Sequence, residues 1–512
     1  MADMTPYSTV RPLFPGALPS WIGDPLDAER IESYRMYEQI YWLVQDTFKV
    51  TFRGQEDSPV YLPTPRTIVD TMNRYIGRGI GWQVSAALGA TSADSDIQTA
   101  QIAIDKLFKR ERFKSRYASA KRYGYIRGDW AVHVTADPAK APLSRISVTW
   151  VDPASLFWIF DEDDPDRIVG CHLIDQRKQG NDTVIHRQTY RKQVGVNSTV
   201  ITSEEAIFKL DEWDDPTKQP IQILKPETAL PAQIDTIPVY HLKPQEEPQN
   251  PYGSSLLRGF ETVLSAINQS VTDEDLALAL AGLGVYVTSS DKPEDEDGQT
   301  LPWQIGPGTV LDNMEDPNSF QRVNGVSSIT PFQDHLALLI NSVKEASGAT
   351  DAAAGKVDVT VAESGVALAL QLGPTLAKAE EEDLGIEETM TQLFYDLQKW
   401  HQAYEGLQWL GAQVLPTFSD KLPTNRAARV AELNDMMDRK VITAAFYRAE
   451  MTKLGGYQFP PDEEMDADIV SETAAISDAQ LGTAGLGAGA DQTSQGFTDR
   501  LNQEGADATA GG

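Results

Sequence analysis

The sequence predicts an α+β fold, in which a mostly antiparallel β region lies between two sets of helices. Residues 27–76 and most residues after 254 place apolar side chains at helical spacing. Between residues 130 and 242 the apolar side chains instead alternate with period two, and clusters of Pro, Gly and Asp divide the runs. No segment long enough for a crossover helix separates these runs, which favours antiparallel pairing.

Before the β region, helices are predicted at residues 27–44, 65–76 and 97–123, with a short strand at 48–52. The third helix holds the main concentration of positive charge in the chain. This pattern fits three interpretations. The basic residues could form a solvated helix face, pair with acidic surface on a neighbouring subunit, or contact DNA directly. Its basic residues are Lys106, Lys109, Arg110, Arg112, Lys114, Arg116, Lys121 and Arg122.

After the β region, predicted helices alternate with loops that are rich in small residues or in Gly, Pro and Asp. Pro374 lies inside the longest helix, where its missing N–H predicts a kink. Large apolar residues are scarce after Pro460, so the end of the chain is predicted to be disordered. In order, the predicted segments are a helix at 254–281, short strands and loops at 282–331, a helix at 332–346, a small-residue loop at 348–361, a long helix at 362–404, and a helical hairpin at 424–440 and 443–454.

The composition limits the classes of function. Hydrophobic residues make up 41% of the chain, enough for a core, and the formal net charge is −31. Such a surface repels nucleic acid and anionic membranes unless basic groups are gathered locally. The single cysteine, Cys171, excludes an internal disulfide and favours a reducing compartment. Residues 1–16 lack the pattern of a signal peptide and no membrane-length apolar run occurs, so we expect a soluble protein made in a cytoplasm.

The chemical motifs in the chain are incomplete. Gly355-Lys356 lacks both the earlier glycine and the following Ser or Thr of a phosphate-binding loop. The acidic run at 161–166 lacks the glycine and the final glutamate of a calcium loop. Cys171 and His172 are neighbours in a predicted strand, so their side chains point to opposite faces. We therefore expect no catalytic residues, no metal site, no cofactor and no enzymatic activity.

Four segments together resemble the portal proteins of tailed phages, especially those of siphophages that infect actinobacteria. They are residues 30–38 (RIESYRMYE), 250–257 (NPYGSSLL), 362–368 (AESGVAL) and 420–454. In the family, similar stretches form the first helix, open the helix that lines the channel, follow the channel loop, and end the folded part as a hairpin. Their order and spacing cover most of residues 25–456 and carry the resemblance.

The resemblance implies a portal fold with a wing, two stem helices, a clip, a kinked tunnel helix and a helical crown, in a ring-forming subunit. Transferred to this chain, the wing is 1–250, stem helix 1 is 251–281, the clip is 282–331, stem helix 2 is 332–347, the tunnel loop is 348–361, the kinked helix with the wing return is 362–420, the crown is 421–470 and the disordered tail is 471–512.

The resemblance also implies a function as the head-tail connector. Portal subunits form a ring, usually of twelve, at one capsid vertex, and double-stranded DNA enters and leaves through it. The implied partners are neighbouring subunits, DNA, the terminase large subunit, a head-completion adaptor, the major capsid protein and the scaffold, with no membrane. The implied location is the portal vertex of the virion, after synthesis in the cytoplasm of the host bacterium.

Three sets of residues are the candidate sites. In the tunnel loop, the scarcity of donors for phosphate fits the passage of DNA without tight binding. Lys356 either touches phosphate transiently or pairs with Asp358 or with a neighbouring subunit's Asp351, and pairing is the favoured expectation. The acids of the clip fit either a solvated loop or a docking surface for a basic partner. The sets are Asp351, Ala353, Gly355, Lys356 and Asp358 in the tunnel loop, Asp291, Glu294, Asp295, Glu296 and Asp297 in the clip, and Lys109, Arg110, Arg112 and Arg116 on the basic helix.

Two other classes of protein remain open. A different capsid-associated or adaptor protein would share the acidity and the mixed α/β character without this order of elements. A cytosolic multidomain enzyme would assemble its site from residues far apart in the sequence. A ring with a through-hole distinguishes the portal interpretation from both.

Overall fold

The computed structural model describes residues 25–454 of the chain, apart from internal gaps. The chain divides into two compact units, Met1–Lys421 and Leu422–Gly512. The tail at 471–512, predicted to be disordered, lies outside the described residues. The gaps are 45–46, 52–58, 88–93, 162, 165–166, 180–181, 196–197, 210–211, 214–216, 246–249, 284, 288–298, 301–320, 324–328, 357–364 and 422–425.

Apart from the third predicted helix, the helices follow the predicted order, whereas the strands at 81–86 and 412–417 were not predicted. Among the described helices, none is both long and apolar enough to cross a membrane. The helices are α1 (Pro25–Trp42), α2 (Thr64–Tyr75), α3 (Asp94–Arg110), α4 (Phe113–Arg127), α5 (Glu261–Leu283), α6 (Thr330–Ser347), α7 (Gly365–Tyr404), α8 (Arg426–Asp438) and α9 (Ala444–Lys453). The strands are β1 (Gly81–Ala86), β2 (Trp130–Ala136), β3 (Ile146–Val151), β4 (Leu156–Phe160), β5 (Ile168–Gln179), β6 (Asp182–Val194), β7 (Thr199–Lys209), β8 (Gln222–Ala229), β9 (Val239–Leu242), β10 (Val285–Val287), β11 (Gln321–Val323) and β12 (Ala412–Thr417).

Every strand pair within the described residues is antiparallel, as the period-two pattern predicts. The largest sheet has the order β4-β5-β6-β7-β8, and a smaller one has the order β3-β2-β9. Two strand pairs, β1-β12 and β10-β11, complete the described sheets. The mixed helix and sheet content of the prediction is therefore confirmed.

The prediction of one helix at 97–123 was wrong, because the chain breaks there into α3 and α4. Arg112 has a φ of 51°, in the left-handed region, and separates the two helices. The break lets the buried rings of Phe108 and Phe113 stack, with centroids 4.2 Å apart. In an unbroken helix these two positions would be rotated by about 140° from each other, so both rings could not face one core.

The prediction of a helix over 254–281 was wrong at its start, because α5 begins at Glu261. Ser255 therefore does not cap this helix. Its hydroxyl donates to the carbonyl of Ile126 at 2.6 Å and accepts from the N–H of Leu257 at 3.1 Å. The segment thus binds the end of α4. Residues 48–51, predicted as part of a strand, are also irregular.

A buried carboxylate, that of Asp129, joins three parts of the first unit. It accepts hydrogen bonds from the hydroxyl of Tyr34 in α1 and from the backbone N–H of Gly253 at 2.8 Å. It also pairs with Nε2 of His241 in β9 at 2.7 Å. A buried carboxylate is costly unless such partners are present. This hub holds the first helix against the Pro-Tyr-Gly-Ser-Ser segment.

Two backbones cross closely beside this hub. Gly128 has a φ of 111°, and a Cβ there would lie 2.6 Å from the carbonyl carbon of Ser254. A Cβ on Gly253 would lie 2.5 Å from the carbonyl oxygen of Gly128. Next to the crossing, the guanidinium of Arg30 lies 4.0 Å from the centroid of the Tyr252 ring. Only glycine fits the crossing, because of both space and backbone conformation.

The core of the first unit is a cluster of aromatic rings where α3, α4, α7, β2 and β3 meet. Trp130 and Trp150 stack with centroids 5.2 Å apart. Phe394 of α7 contacts both Phe108 of α3 and Phe113 of α4, at 5.3 and 6.2 Å. These contacts hold α7 on the core.

Strand β8 forms an outer edge of the five-stranded sheet. All eight of its residues are exposed. Its pairing with β7 is irregular, with register shifts on either side of Glu205, and Pro226 interrupts its backbone donors. The edge is therefore poorly suited to pairing with a further strand.

The second unit contains the predicted helical hairpin, now α8 and α9, in its described part. The hydroxyl of Thr443 caps α9 by accepting from the N–H of Phe446 at 3.2 Å. Tyr447 of α9 donates to Asn434 of α8 at 2.7 Å, and Leu433 is buried. The helical hairpin of the prediction is confirmed.

We expect Gly128→Ala to lower the melting temperature sharply, because the added methyl meets backbone and the residue keeps a positive φ. A loss of at least about 2 kcal/mol follows from strain of this kind. The matched control is Gly385→Ala, inside α7, where a Cβ meets nothing within 4 Å. The control should gain about 0.5–1 kcal/mol. Equal thermal melts of the two variants would contradict this account of the crossing.

His401 makes stability depend on acid pH. It is buried, and neither ring nitrogen has a hydrogen-bond partner in the described part of the chain. Burial lowers its pKa to about 4, against an ordinary 6.5. The unfolded chain therefore takes up the proton first, and this stability is present above pH 6.5 and lost as the pH falls through 4.

We expect His401→Phe to remove this part of the acid sensitivity. The melting temperature of the variant, relative to wild type, should rise as the pH is lowered from 7 to 4. Thermal melts across this range measure the difference. A difference that stays constant with pH would show that His401 does not titrate in this way.

Candidate functional site

Helix α5 is held at its first half by polar contacts to a preceding extended segment. Oδ1 of Asn268 accepts from the backbone N–H of Leu62 at 3.0 Å. Oγ1 of Thr272, one turn later, accepts from the N–H of Val60 at 3.1 Å. Asn268 and Thr272 are both buried and lie on the same helix face. The start of α5 is therefore fixed in direction.

Helix α6 packs against α5 but is open to solvent over most of its length. Residues 330–342 contain no buried side chain, and Leu338 is 63% exposed. Burial begins at Val343, in the last turns of the helix. An exposed apolar side on such a helix indicates surface that another chain or a channel uses.

The loop after α6 is tied to α7 by one hydroxyl. Gly348 ends α6 with a φ of 74°. Its carbonyl accepts from Oγ1 of Thr375 at 2.5 Å, and the same hydroxyl lies 3.2 Å from Oγ1 of Thr350. Thr375 is fully buried and directly follows Pro374 inside α7. Sequence reasoning identified the proline but missed the threonine.

The described part of the loop, residues 348–356, is a compact turn with a buried side and an exposed side. Ala349 and Ala353 are buried, so Ala353 does not face solvent in the single chain. Asp351, Gly355 and Lys356 are exposed. Gly355 has a φ of 93°, which closes the turn. Small residues therefore form the inner packing of the loop, and its polar residues face outward.

The carboxylate of Asp351 has a partner within its own chain. Nζ of Lys344, in the last turn of α6, lies 2.7 Å from Oδ1 of Asp351. The predicted partner for this carboxylate was Lys356 of a neighbouring subunit. Lys356 is exposed and makes no ion pair among the described residues. Asp358, its other predicted partner, lies outside the described residues.

The clip is described only in part. Strands β10 and β11 pair antiparallel and join the two ends of the segment predicted as the clip. The predicted docking acids of this segment lie outside the described residues: Asp291, Glu294, Asp295, Glu296 and Asp297.

The basic residues of α3 and α4 divide into bound and exposed groups. The guanidinium of Arg110 donates to two backbone carbonyls of the loop at 143–146. Arg116 pairs with Glu111 at 3.3 Å. These two arginines therefore act within their own subunit. Two residues of the predicted set are exposed without an ion pair among the described residues, Lys109 and Arg112.

Lys121, predicted as part of the basic surface, is buried beneath α2. Its ammonium donates to the carbonyls of Asn73 at 2.9 Å and of Ile76. Burial lowers its pKa to about 8. In α7, burial also raises the pKa of Glu382 to about 8. Both groups lie at packed helix contacts, and we assign them a structural role.

No metal-binding cluster of His, Cys, Asp or Glu occurs among the described residues. Cys171 and His172 point to opposite sides of β5, as predicted. Cys171 is fully buried, and burial raises the pKa of its thiol. His172 contacts Thr189, with Nδ1 2.9 Å from its hydroxyl.

A family model described as phage portal protein, SPP1 Gp6-like, matches residues 53–448. The match covers most of the chain, and the chain belongs to this phage portal protein family. No curated protein matches. One similar solved structure is the neck of a native GTA particle computed with C12 symmetry, with 12% sequence identity. The alignment covers 79% of this chain and 96% of the other, with a TM-score of 0.39.

We expect Thr375→Val to loosen the loop while leaving α7 folded. Valine keeps the shape of threonine but leaves the buried carbonyl of Gly348 without this donor, at a cost of about 1–3 kcal/mol. Hydrogen exchange at residues 348–356 should speed up relative to the rest of the chain. The control is Thr389→Val, elsewhere on α7. Unchanged exchange in the loop would show that the Thr375 hydroxyl does not hold it.

Proposed function

We propose that this portal protein assembles into a ring of about twelve subunits at one capsid vertex, and that DNA passes through the ring during packaging and ejection. The observation that carries the proposal is the described part of the loop after α6, residues 348–356. This part is compact, tied to α7 through Thr375, and presents few groups that bind phosphate. Such a loop suits the narrowest part of a channel through which DNA slides.

Electrostatics supports passage without binding. Each subunit carries a formal net charge of −31, so a closed ring surrounds its axis with negative potential. Like charge keeps the duplex near the axis and avoids phosphate salt bridges, each of which would act as a brake. Within the loop, Lys344 already neutralises Asp351, which leaves Lys356 as the exposed cation among residues 348–356.

The domain assignments follow as proposals with adjusted bounds. The first stem helix is α5, which starts at Glu261, and the second is α6. The tunnel loop follows α6, and α7 is the long helix that leads back into the wing. The hairpin of α8 and α9 is the crown. Residues 282–331 are the clip.

The proposed partners are other subunits, double-stranded DNA, the terminase large subunit, a head-completion adaptor, the major capsid protein and the scaffold. The acidic segment at 291–297 suits docking to a basic partner. The motor, and not the portal, would hydrolyse ATP. The proposed location is the portal vertex of the virion, after synthesis in the host cytoplasm.

A bulky residue on the exposed side of the loop tests the channel assignment. We expect Lys356→Trp to form rings like wild type, because the side chain is exposed and has no partner to lose among the described residues. DNA packaging should fall at least about tenfold, because twelve indoles narrow the passage. Electron microscopy counts the subunits, and nuclease-protected DNA measures packaging.

The matched control is Lys140→Trp in the exposed turn before β3, a lysine that likewise makes no ion pair among the described residues, and this variant should form rings and package DNA normally. Normal packaging by Lys356→Trp rings would place the constriction elsewhere. Purified wild-type protein that stays monomeric at every salt concentration would contradict the ring itself.

A further inference from the structure

Helix α7 carries an exposed stripe that no described part of its own chain covers. Leu370 and Leu384 are 75% and 69% exposed, although large apolar side chains on a packed helix usually face the core. Other exposed residues lie on the same line at spacings of three and four. In order, this α7 stripe is Leu370, Pro374, Ala377, Glu381, Leu384 and Glu388.

At 100° per residue these six positions fall within about 40° of one line along the helix. The stripe is therefore one continuous surface, about 27 Å long at the rise of an α-helix. Neither Glu381 nor Glu388 makes an ion pair among the described residues, and Glu381 lies near both the partly buried Lys378 and Glu382. The stripe combines apolar side chains with negative charge.

Helix α3 carries a surface of the opposite charge. Ile102 is 55% exposed, and Lys106 and Lys109 follow it on the same helix face. Neither lysine has an ion pair among the described residues. The exposed Arg112 continues this positive surface past the end of α3. The α3 stripe, residues 102, 106 and 109, thus pairs one apolar side chain with two uncompensated cations.

The two stripes match in charge, and part of their spacing also agrees. Four residues separate Leu384 from Glu388, and four separate Ile102 from Lys106, or about 6 Å in each helix. A second helix laid parallel to α7 with Ile102 against Leu384 would therefore bring Lys106 level with Glu388. Lys109 would follow one turn further on.

The stripes face away from a common core. The buried side of α7 contacts the buried sides of α3 and α4 through Phe394, Phe108 and Phe113. The stripes lie on the sides of these helices that face away from the shared core. Two different, complementary surfaces on one subunit define head-to-tail association, which closes into a ring when the rotation between neighbours permits it.

We propose that the α7 stripe of one subunit docks on the α3 stripe of the next, and that this contact joins neighbouring subunits of the ring. The inference rests on the proposed ring and specifies its interface. The occupant is a second copy of this chain, because the charges of the two surfaces are complementary and each carries an exposed apolar side chain. Added salt should weaken the contact, since its ion pairs lie near the surface.

Paired charge reversals test the contact. The acid-reversed variant is Glu381→Lys with Glu388→Lys, and the base-reversed variant is Lys106→Glu with Lys109→Glu. Each places like charges across the interface, and we expect each to weaken assembly at least about tenfold. Mass photometry at a series of concentrations measures the assembly.

Net charge alone makes a different prediction. The acid-reversed variant has less negative charge than the wild-type −31, so general repulsion between subunits would fall and assembly would improve. Only a specific interface weakens in both variants. The control is Glu380→Lys with Glu387→Lys, which reverses two exposed acids of α7 about 80–100° around the helix from the stripe. It should assemble like wild type or better.

Mixing the two variants gives the decisive measurement. A reversed α7 stripe matches a reversed α3 stripe, so equimolar mixtures should recover rings in which the two variants alternate. Native mass spectrometry should find equal numbers of each variant and an even total. The variant with all four reversals should also assemble alone.

Three results would overturn the interface. If the wild-type chain forms rings and neither charge reversal weakens assembly, the ring stands but this contact is excluded. If each charge-reversed variant forms normal rings alone but these rings fail to enter capsids, the stripes bind a capsid or scaffold protein instead of a neighbouring subunit. A wild-type chain that never assembles would remove the ring and this interface together. Circular dichroism of each variant checks that the exposed substitutions leave the fold intact.

Discussion

The carboxylate of Asp129 is the constraint on which the arrangement of the first unit depends. It is fully buried, and its partners come from α1, from β9 and from the segment that leads to α5. A second buried set lies beside it, where Arg127 pairs with Glu38 at 2.5 Å and with Asp152 at 2.7 Å. Removal of one member leaves a buried charge unpaired, so these contacts fix one geometry. The direction of α5, and with it the path to the loop, follows from that geometry.

Hydrophobic periodicity predicted several helices and strands at the positions where the structure has them. Helix α6, the hairpin of α8 and α9, and the antiparallel strands all appear where spacing placed them. The break at Arg112 was missed because both flanking segments have helical patterns, and only the shared core of Phe108 and Phe113 requires the turn. The start of α5 was missed because Ser255 looks like a helix cap in sequence and instead binds the end of α4.

The candidate site was predictable in outline but not in its contacts. The small residues of the loop and Pro374 stand out in the sequence, whereas Thr375 and Lys344 do not. Thr375 binds the carbonyl of Gly348, and Lys344 binds the carboxylate of Asp351. Only the folded chain shows that these groups lie close together. The basic residues show the same limit: charge alone grouped Lys121, Arg110 and Lys109, and burial separates them into a core lysine, a loop anchor and an exposed cation. The sequence pattern shows which charged side chains are present, and the packing of the folded chain determines which of them are exposed.

The irregular edge of β8 has a consequence for separate molecules that meet in solution. A straight, unpaired edge would let sheets of separate molecules join through their backbones, which leads to open-ended aggregates. Pro226 and the two register shifts remove the continuous row of donors and acceptors that such growth requires. This strand therefore closes one route by which copies of the chain could join without limit.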